Sequence, residues 1–298
     1  IARRLAAKGE RVRVLDNLST GRLSNLNNIK EDIDFIEGDI NDSYLLRKSV
    51  AGVRYVIHLA AIPSVQRSIK NPIASNRSII DGTLNVLVEA RDAGVKRIVL
   101  ASSSSIYGSN KALPKQESFE PAPISPYAAA KYTCEMYAGI FARLYQIETV
   151  SLRFFNVFGP LQDPRSEYAA VIPRFITRML TGERPVIFGT GEQTRDFTFI
   201  ENVVDANLYA CLIPKVGQGE AINIACGKRY SLNKLVNMLN TILGTEIQPE
   251  YVPPRSGDIK HSLADITRAK QLLGYNTKVD LTEGLSRTVD YFKVSIKS

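Results

Sequence analysis

Apolar and polar positions alternate in blocks along the first half of the chain. Val12-Arg13-Val14-Leu15 reads as a strand ending at Asp16, and Asp34-Phe35-Ile36-Glu37 as another, followed by Gly38-Asp39. Tyr55-Val56-Ile57-His58-Leu59 and Arg97-Ile98-Val99-Leu100-Ala101 are nearly unbroken apolar runs, the pattern of strands buried on both faces of a parallel sheet. Helical stretches fall near 43–49 and 72–93, then from Pro126 to about Tyr145, followed by the strand Thr149-Val150-Ser151-Leu152-Arg153-Phe154. Strand and helix in strict alternation imply right-handed crossovers and a doubly wound α/β fold with a parallel sheet.

Beyond Asn156 the pattern loosens. Loops at 159–168 lead to a helix near 171–181, short strands near 186–188 and 196–199, and a helix near 201–212. A strand at 221–224, a helix near 231–243 and a strand near 247–252 follow. The division this predicts is a nucleotide-binding domain over 1–155, with 196–217 returning to it. A smaller α+β lobe is built from 156–195 and 218–298. The chain opens at Ile1, inside a helix-like stretch that stops at Gly9. The first strand and glycine-rich turn of such a fold are therefore expected ahead of Ile1. A sheet short of a central strand exposes neighbouring edges, so this piece alone is expected to be unstable.

Composition narrows the function. The 298 residues are 44% apolar and 23% charged, ordinary for a globular protein. No apolar run is long enough to span a membrane, and no signal peptide is visible. Cys134, Cys211 and Cys226 are odd in number and widely spaced, which predicts reduced thiols in the cytoplasm. His58 and His261 are the only histidines, so a metal site or a Ser-His-Asp triad has little to draw on. The net charge of +8 is scattered through the chain and predicts solvated surface with a few arginines for an anionic ligand, not a nucleic-acid partner.

The chemistry concentrates in two segments. Ser102-Ser103-Ser104-Ser105-Ile106-Tyr107-Gly108 ends a strand, and Ser125-Pro126-Tyr127-Ala128-Ala129-Ala130-Lys131 opens a helix. Ser125 reads as an N-cap and Pro126 as the first helical residue. Tyr127 and Lys131, four apart, then share one helix face. The positive helix end and the ammonium are both expected to favour a phenolate. A group that ionises near pH 10 in water would then act as a base nearer neutrality. Asp16, at the end of its strand, is placed to accept hydrogen bonds from both ribose hydroxyls of adenosine and to repel a 2′-phosphate, which argues for NAD over NADP. Gly38-Asp39-Ile40 is placed to hold the adenine amine.

Together these residues resemble the extended short-chain dehydrogenase/reductase superfamily, and more narrowly the nucleotide-sugar 4-epimerases. The matches run in order: Leu15-Asp16-Asn17-Leu18-Ser19-Thr20-Gly21, His58-Leu59-Ala60-Ala61, the Ser/Tyr/Lys set and Leu152-Arg153-Phe154-Phe155-Asn156-Val157-Phe158-Gly159-Pro160. The resemblance implies a Rossmann-like fold, tightly held NAD and a homodimer built on the helices near 83–93 and from Pro126. Asp16, Asn17, Ser19, Thr20, Gly21, Asp39, Ile40, Leu59, Ala60 and Ala61 would then line the cofactor site with Tyr127 and Lys131. Tyr127 would be the base, and Lys131 would hold the nicotinamide ribose and lower the tyrosine pKa. Ser103 would bridge to the sugar, with Ser104 and Ser105 able to share that role. The family often has Asn three residues before Gly82, whereas this chain has Ile79.

The resemblance also implies a UDP-sugar substrate. Family dehydratases carry Asp-Glu at the two positions after Ser103, and the decarboxylases carry Glu at the second. Both are Ser here, which leaves oxidation and re-reduction at one carbon. Asn156 matches a diphosphate-contacting position, and its being Asn rather than Thr favours a neutral hexose. Ala169-Ala170-Val171-Ile172-Pro173 matches the segment lying on uracil and ribose. Arg195 and Arg255 match diphosphate ligands, forked cations suited to a dianion, and Asp258 matches a ribose-hydroxyl acceptor. Ser262 stands where a bulky Tyr closes the pocket of epimerases restricted to glucose and galactose, so its small side chain implies room for a 2-acetamido group. The expected reaction is 4-epimerisation of a UDP-hexose through a 4-keto intermediate in polysaccharide biosynthesis, with UDP-GlcNAc/UDP-GalNAc as the first expected pair and UDP-Glc/UDP-Gal as a second. Three rivals remain: a UDP-glucose 4-epimerase only, a related decarboxylase or reductase, and a non-catalytic nucleotide-binding scaffold.

Overall fold

A computed structural model describes residues 1–164, 170–254 and 259–297. The first half runs α1 (Ala2–Ala6), β1 (Val12–Asp16), β2 (Ile33–Glu37), α2 (Ser43–Val50), β3 (Tyr55–His58), α3 (Val65–Lys70), α4 (Pro72–Asn76), α5 (Gly82–Asp92), β4 (Arg97–Ser103), α6 (Pro126–Tyr145) and β5 (Glu148–Phe154). The second half runs β6 (Val157–Phe158), α7 (Val171–Leu180), β7 (Val186–Phe188), β8 (Thr194–Arg195), β9 (Thr198–Phe199), α8 (Ile200–Leu212), β10 (Gln218–Ile224), β11 (Tyr230–Ser231), α9 (Leu232–Leu243), β12 (Glu250–Val252), α10 (Thr267–Leu273) and α11 (Leu281–Lys297).

The principal strands are all parallel and fall into a pair, β1-β2, and a quartet in the order β10-β5-β4-β3. Successive β4 side chains point to opposite faces. Ile98 and Leu100 pack with Val86, Leu87, Ala138 and Phe141 of α5 and α6. Val99 packs the other way, with Ala206, Ala210 and Cys211 of α8 and with Tyr275. This two-sided burial makes the β4 run continuously apolar and gives the fold its Rossmann-like α/β layering. Each fully buried Ile or Leu removed from water contributes about 1.5–3 kcal/mol.

The helix ends follow their sequence signals. Ser125 accepts from the Ala128 N–H at 3.2 Å ahead of Pro126 and caps α6. Asp42 caps α2 from the Leu45 N–H, and Ser231 caps α9 from the Lys234 N–H. A second core joins α7, α9 and α11 through Ile176, Leu235 and Leu285, with Phe158 and Phe199 between them.

Three local features depart from expectation. The helix expected over 72–93 is two helices, α4 and α5, joined by a π-helical turn at Arg77–Asp81. A ten-residue 3₁₀ segment, Leu23–Asp32, fills a stretch where no element was expected. The strand expected at 221–224 as part of the lobe instead begins at Gln218 and pairs with β5. The main sheet therefore continues through Ile224. The register shifts between Gln218 and Glu220, at Gly219, whose φ is +88° and whose missing side chain leaves room for Gly139 of α6: a Cβ there would lie 2.6 Å from the Gly139 Cα.

Candidate active site

β4 ends in the serine cluster. The Ser103 hydroxyl accepts from the Ser105 N–H at 3.2 Å and from the Ser105 Oγ at 2.9 Å, turning the chain into the 3₁₀ segment Ser104–Tyr107. Tyr127, in the first turn of α6, donates its backbone N–H to the Ser68 Oγ of α3 at 3.1 Å. Tyr127 packs against the buried cluster of Ile79, Ala130 and Cys134. One turn on, the Lys131 Nζ donates to the Ala101 carbonyl of β4 at 2.7 Å. Ser103, Tyr127 and Lys131 therefore converge on the C-terminal end of one strand, where open α/β sheets bind their ligands.

The electrostatics at Tyr127 differ from expectation. Burial pushes its pKa up, the Ser103 hydroxyl pulls it down, and the Cys134 thiol adds to the upward push. The downward shift expected from Lys131 and the helix end does not prevail: desolvation of the phenol is the largest effect, and the opposing pull comes from Ser103. Burial also lowers the pKa of Lys131, opposed by Cys134 and Glu135.

The loops after β1 and β2 form a second group. The Gly38 N–H donates to the Asp16 carbonyl at 3.1 Å, which sets the two strand ends side by side. Asp16 Oδ1 accepts from the Leu18 N–H at 2.8 Å, and Asn17 Oδ1 from the Ser19 N–H at 3.1 Å. Asn17 Nδ2 donates to Asp39 Oδ2 at 2.8 Å. The Asn41 N–H and the Asn17 and Asn41 amides hold the pKa of Asp39 below the usual carboxylate range against some desolvation. Ser19 and Thr20 are exposed. Gly21 lies so close to Asp16 that a Cβ would sit 3.2 Å from Oδ2 and crowd the carboxylate. Ile40 packs on the Val86–Leu87 core. Beyond β3, Leu59 is 46% exposed and Ala60 is exposed, while Ala61 packs against the Ile79–Ala130–Cys134 cluster that Tyr127 also meets.

On the lobe side, a cleft of about 260 Å³ is lined by Asn156, Ala170, Val171 and Arg195. Asn156 follows β5 with φ +32°, a left-handed conformation, and its Nδ2 donates to the Asp196 carbonyl at 3.0 Å. Arg195 Nη1 donates to the Thr194 and Lys260 carbonyls at 3.0 and 3.3 Å. Phe188, Gln193 and Phe197 also line the cleft. Phe188 and Phe197 read in the sequence only as positions in short strands, and Gln193 as a position between them. The Ser262 N–H donates to the Thr194 carbonyl at 3.0 Å, so its backbone runs beside β8, although its side chain is not among those lining this cleft. Arg255, Asp258 and Ala169 lie outside the described residues.

Sequence reading also missed the buried groups that fix this frame. The Asp196 carboxylate accepts from the N–H groups of Cys226, Gly227 and Ala264 at 3.0–3.2 Å. Burial still pushes its pKa up to about 6, against those backbone donors. His58 Nε2 meets Thr83 Oγ1 at 3.0 Å. Burial, with repulsion from Lys131, drives its pKa down to about 3.

A family model for the NAD dependent epimerase/dehydratase family matches residues 1–225. The chain belongs to that family. The UDP-glucose 4-epimerase of Mycolicibacterium smegmatis is 37% identical over 294 residues, covering 97% of this chain and 93% of that one. A UDP-glucose 4-epimerase from Thermotoga maritima, solved with UDP-glucose, superposes with a TM-score of 0.94 at 40% identity, covering 99% of this chain and 94% of that one. A UDP-N-acetylglucosamine 4-epimerase from Methanobrevibacter ruminantium M1, in complex with UDP-N-acetylmuramic acid, gives 0.93 at 39% identity, with 98% and 94% covered. The family cofactor is NAD, and the residues present fit it. A carboxylate at a strand end with a glycine pressed against it suits a ribose diol, and a buried ammonium lies beside the serine cluster.

Proposed function

We propose that the protein interconverts the C4 epimers of a UDP-hexose, with UDP-GlcNAc and UDP-GalNAc as its natural pair. The observation that carries this reading is the meeting of Ser103, Tyr127 and Lys131 at the end of β4, with hydroxyls and no carboxylate at 104 and 105. NAD⁺, when bound, would supply reversible hydride acceptance at C4. The Tyr127 oxygen takes the proton of the sugar 4-hydroxyl as the C4–H bond breaks, and gives it back when the 4-keto sugar is reduced from its other face. The Ser103 hydroxyl steadies that oxygen and favours the deprotonated phenol. Lys131 keeps a positive charge one helical turn away.

Asn156 and Arg195 belong to the anchor for the diphosphate, joined by Arg255, while Ala170 and Val171 lie against uracil and ribose and Asp258 takes a ribose hydroxyl. A fixed anchor and a loosely held hexose let the keto sugar present either face. Asn156 favours a neutral hexose, and Ser262 leaves space for a 2-acetamido group. A reading restricted to UDP-glucose and UDP-galactose draws support from the names of several relatives. We place the enzyme in the cytoplasm, as its three cysteines are all free, and as a homodimer.

The deciding experiment incubates the protein with UDP-GlcNAc and, separately, UDP-glucose without added NAD, then separates the epimers by chromatography. Conversion of the acetylated sugar supports the whole reading. Conversion of UDP-glucose alone keeps the mechanism and discards the acetylated substrate. No conversion of either, even with NAD added, removes these two sugars as substrates and turns the reading to another sugar nucleotide or to a binding role.

A further inference from the structure

Tyr127, Lys131 and Glu135 are spaced four apart on α6 and form one stripe about 12 Å long. Three consecutive residues of β4 meet that stripe. The Ala101 carbonyl accepts from Lys131, the Ser102 hydroxyl donates to Glu135 Oε1, and the Ser103 hydroxyl meets Tyr127. Glu135 makes a second connection. Its carboxylate takes Arg153 of β5 in a forked pair, Nε to Oε1 at 3.0 Å and Nη2 to Oε2 at 2.8 Å. The two side chains are only 7% and 5% exposed. Arg153 Nη1 donates to the Tyr107 hydroxyl at 2.9 Å, and that hydroxyl donates to Asn223 Oδ1 of β10 at 2.7 Å. One carboxylate thus ties α6 to β4 and β5 and, through Arg153, to the turn that follows the serine cluster and to β10.

We infer that Glu135 is a positioning residue: its grip on Ser102 and Arg153 sets where α6 lies along β4, and so where the Tyr127 oxygen stands against Ser103. A buried ion pair adds little net stability over apolar packing of the same shape. What distinguishes it from apolar packing is direction. Its hydrogen bonds are satisfied at one setting of the helix, whereas apolar contacts tolerate sliding. Displacing a reacting group by 1 Å costs about 10²-fold in rate. Both side chains are buried and their polar atoms are taken up by Ser102, Tyr107 and each other, so the pair acts through Tyr127 and not on the sugar.

The inference rests on the epimerase reading, and the unaltered protein serves as the control. If that protein converts neither sugar, the reading of the reaction fails before the pair is tested. The variant Glu135→Leu/Arg153→Met removes the pair as a unit, so neither partner is left as an uncompensated ion, and Lys131 keeps its bond to the Ala101 carbonyl. Its melting temperature should match or exceed the parent's, with bound NAD and KM for the UDP-sugar retained. Its kcat should fall by about tenfold or more. A folded double variant with kcat within about twofold of the parent's would overturn the inference. So would a parallel loss of kcat, substrate affinity and bound NAD, which would mean that the pair only holds the fold together. Should the double variant not fold, Ser102→Ala deletes one hydroxyl and leaves the ion pair in place. It should lower kcat several-fold at constant KM, and parental kcat in that variant would be equally decisive against the inference.

Discussion

Lys131 reaches from α6 to the carbonyl of Ala101 at 2.7 Å, which holds its ammonium two residues short of Ser103 on the strand that ends in the serine cluster. The charge is buried and its pKa lowered, chiefly by desolvation, so it is a costly group to keep unless the chemistry needs it. Lys131→Met should leave the melting temperature unchanged or raised while turnover falls. Tyr127→Phe removes the proton acceptor itself. It should lower kcat by about 10²- to 10⁴-fold while the UDP-sugar still binds. Near-normal turnover in Tyr127→Phe, measured as epimer interconversion, would refute the base assignment.

Ser262 tests the substrate range. Its backbone is fixed to Thr194, next to Arg195 at the cleft. Ser262→Tyr should abolish conversion of UDP-GlcNAc while UDP-glucose turnover stays within a few-fold of the parent. Equal losses on both sugars would remove Ser262 from any role in selecting between them.

Two buried groups give opposite pH signatures. The His58 pKa falls to about 3 in the fold from 6.5. The unfolded chain therefore binds the extra proton between these values, and stability drops as pH falls through that window. The Asp196 pKa rises from 3.8 to about 6. There the folded chain binds the extra proton, and stability drops as pH rises from 3.8 towards 6. In the overlap each group contributes a slope of at most about 1.4 kcal/mol per pH unit, with opposite sign. His58→Asn should make the stability curve bend downwards with rising pH across the overlap, relative to the parent. Asp196→Asn should steepen the loss on acidification. Denaturant melts at half-unit steps read both, and curves parallel to the parent's would contradict the two assignments.

The strands were legible because burial on both faces leaves an unbroken apolar run, as at Ile98, Val99 and Leu100. The start of α6 was legible because Ser125 and Pro126 carry local capping chemistry. The π-helical turn at Arg77–Asp81 was not, since one extra residue in a turn barely disturbs helical periodicity. Nor was the partnership of Glu135 with Arg153, because an acidic residue four after Lys131 reads equally well as solvated helix surface. Only the tertiary packing of α6 on β4 and β5 turns it inwards. The direction of the Tyr127 shift failed for the same reason: spacing reveals neighbours along a helix, while desolvation depends on elements far away in sequence.

The outer face of α6 carries the last prediction. Met136, Ile140 and Leu144 lie four apart on one stripe and are 46%, 38% and 70% exposed, opposite the face that packs on the sheet. An exposed apolar stripe of this kind suits the homodimer proposed above. A second copy meeting it about a two-fold axis would bring two α6 helices together, and with them two copies of the helix that bears Tyr127 and Lys131. Light scattering should give a dimer mass for the parent. Ile140→Glu, which sets a charge in the middle of the stripe, should give a monomer. A monomer mass for the parent would refute the dimer. A dimer unaffected by Ile140→Glu would move the interface to another face.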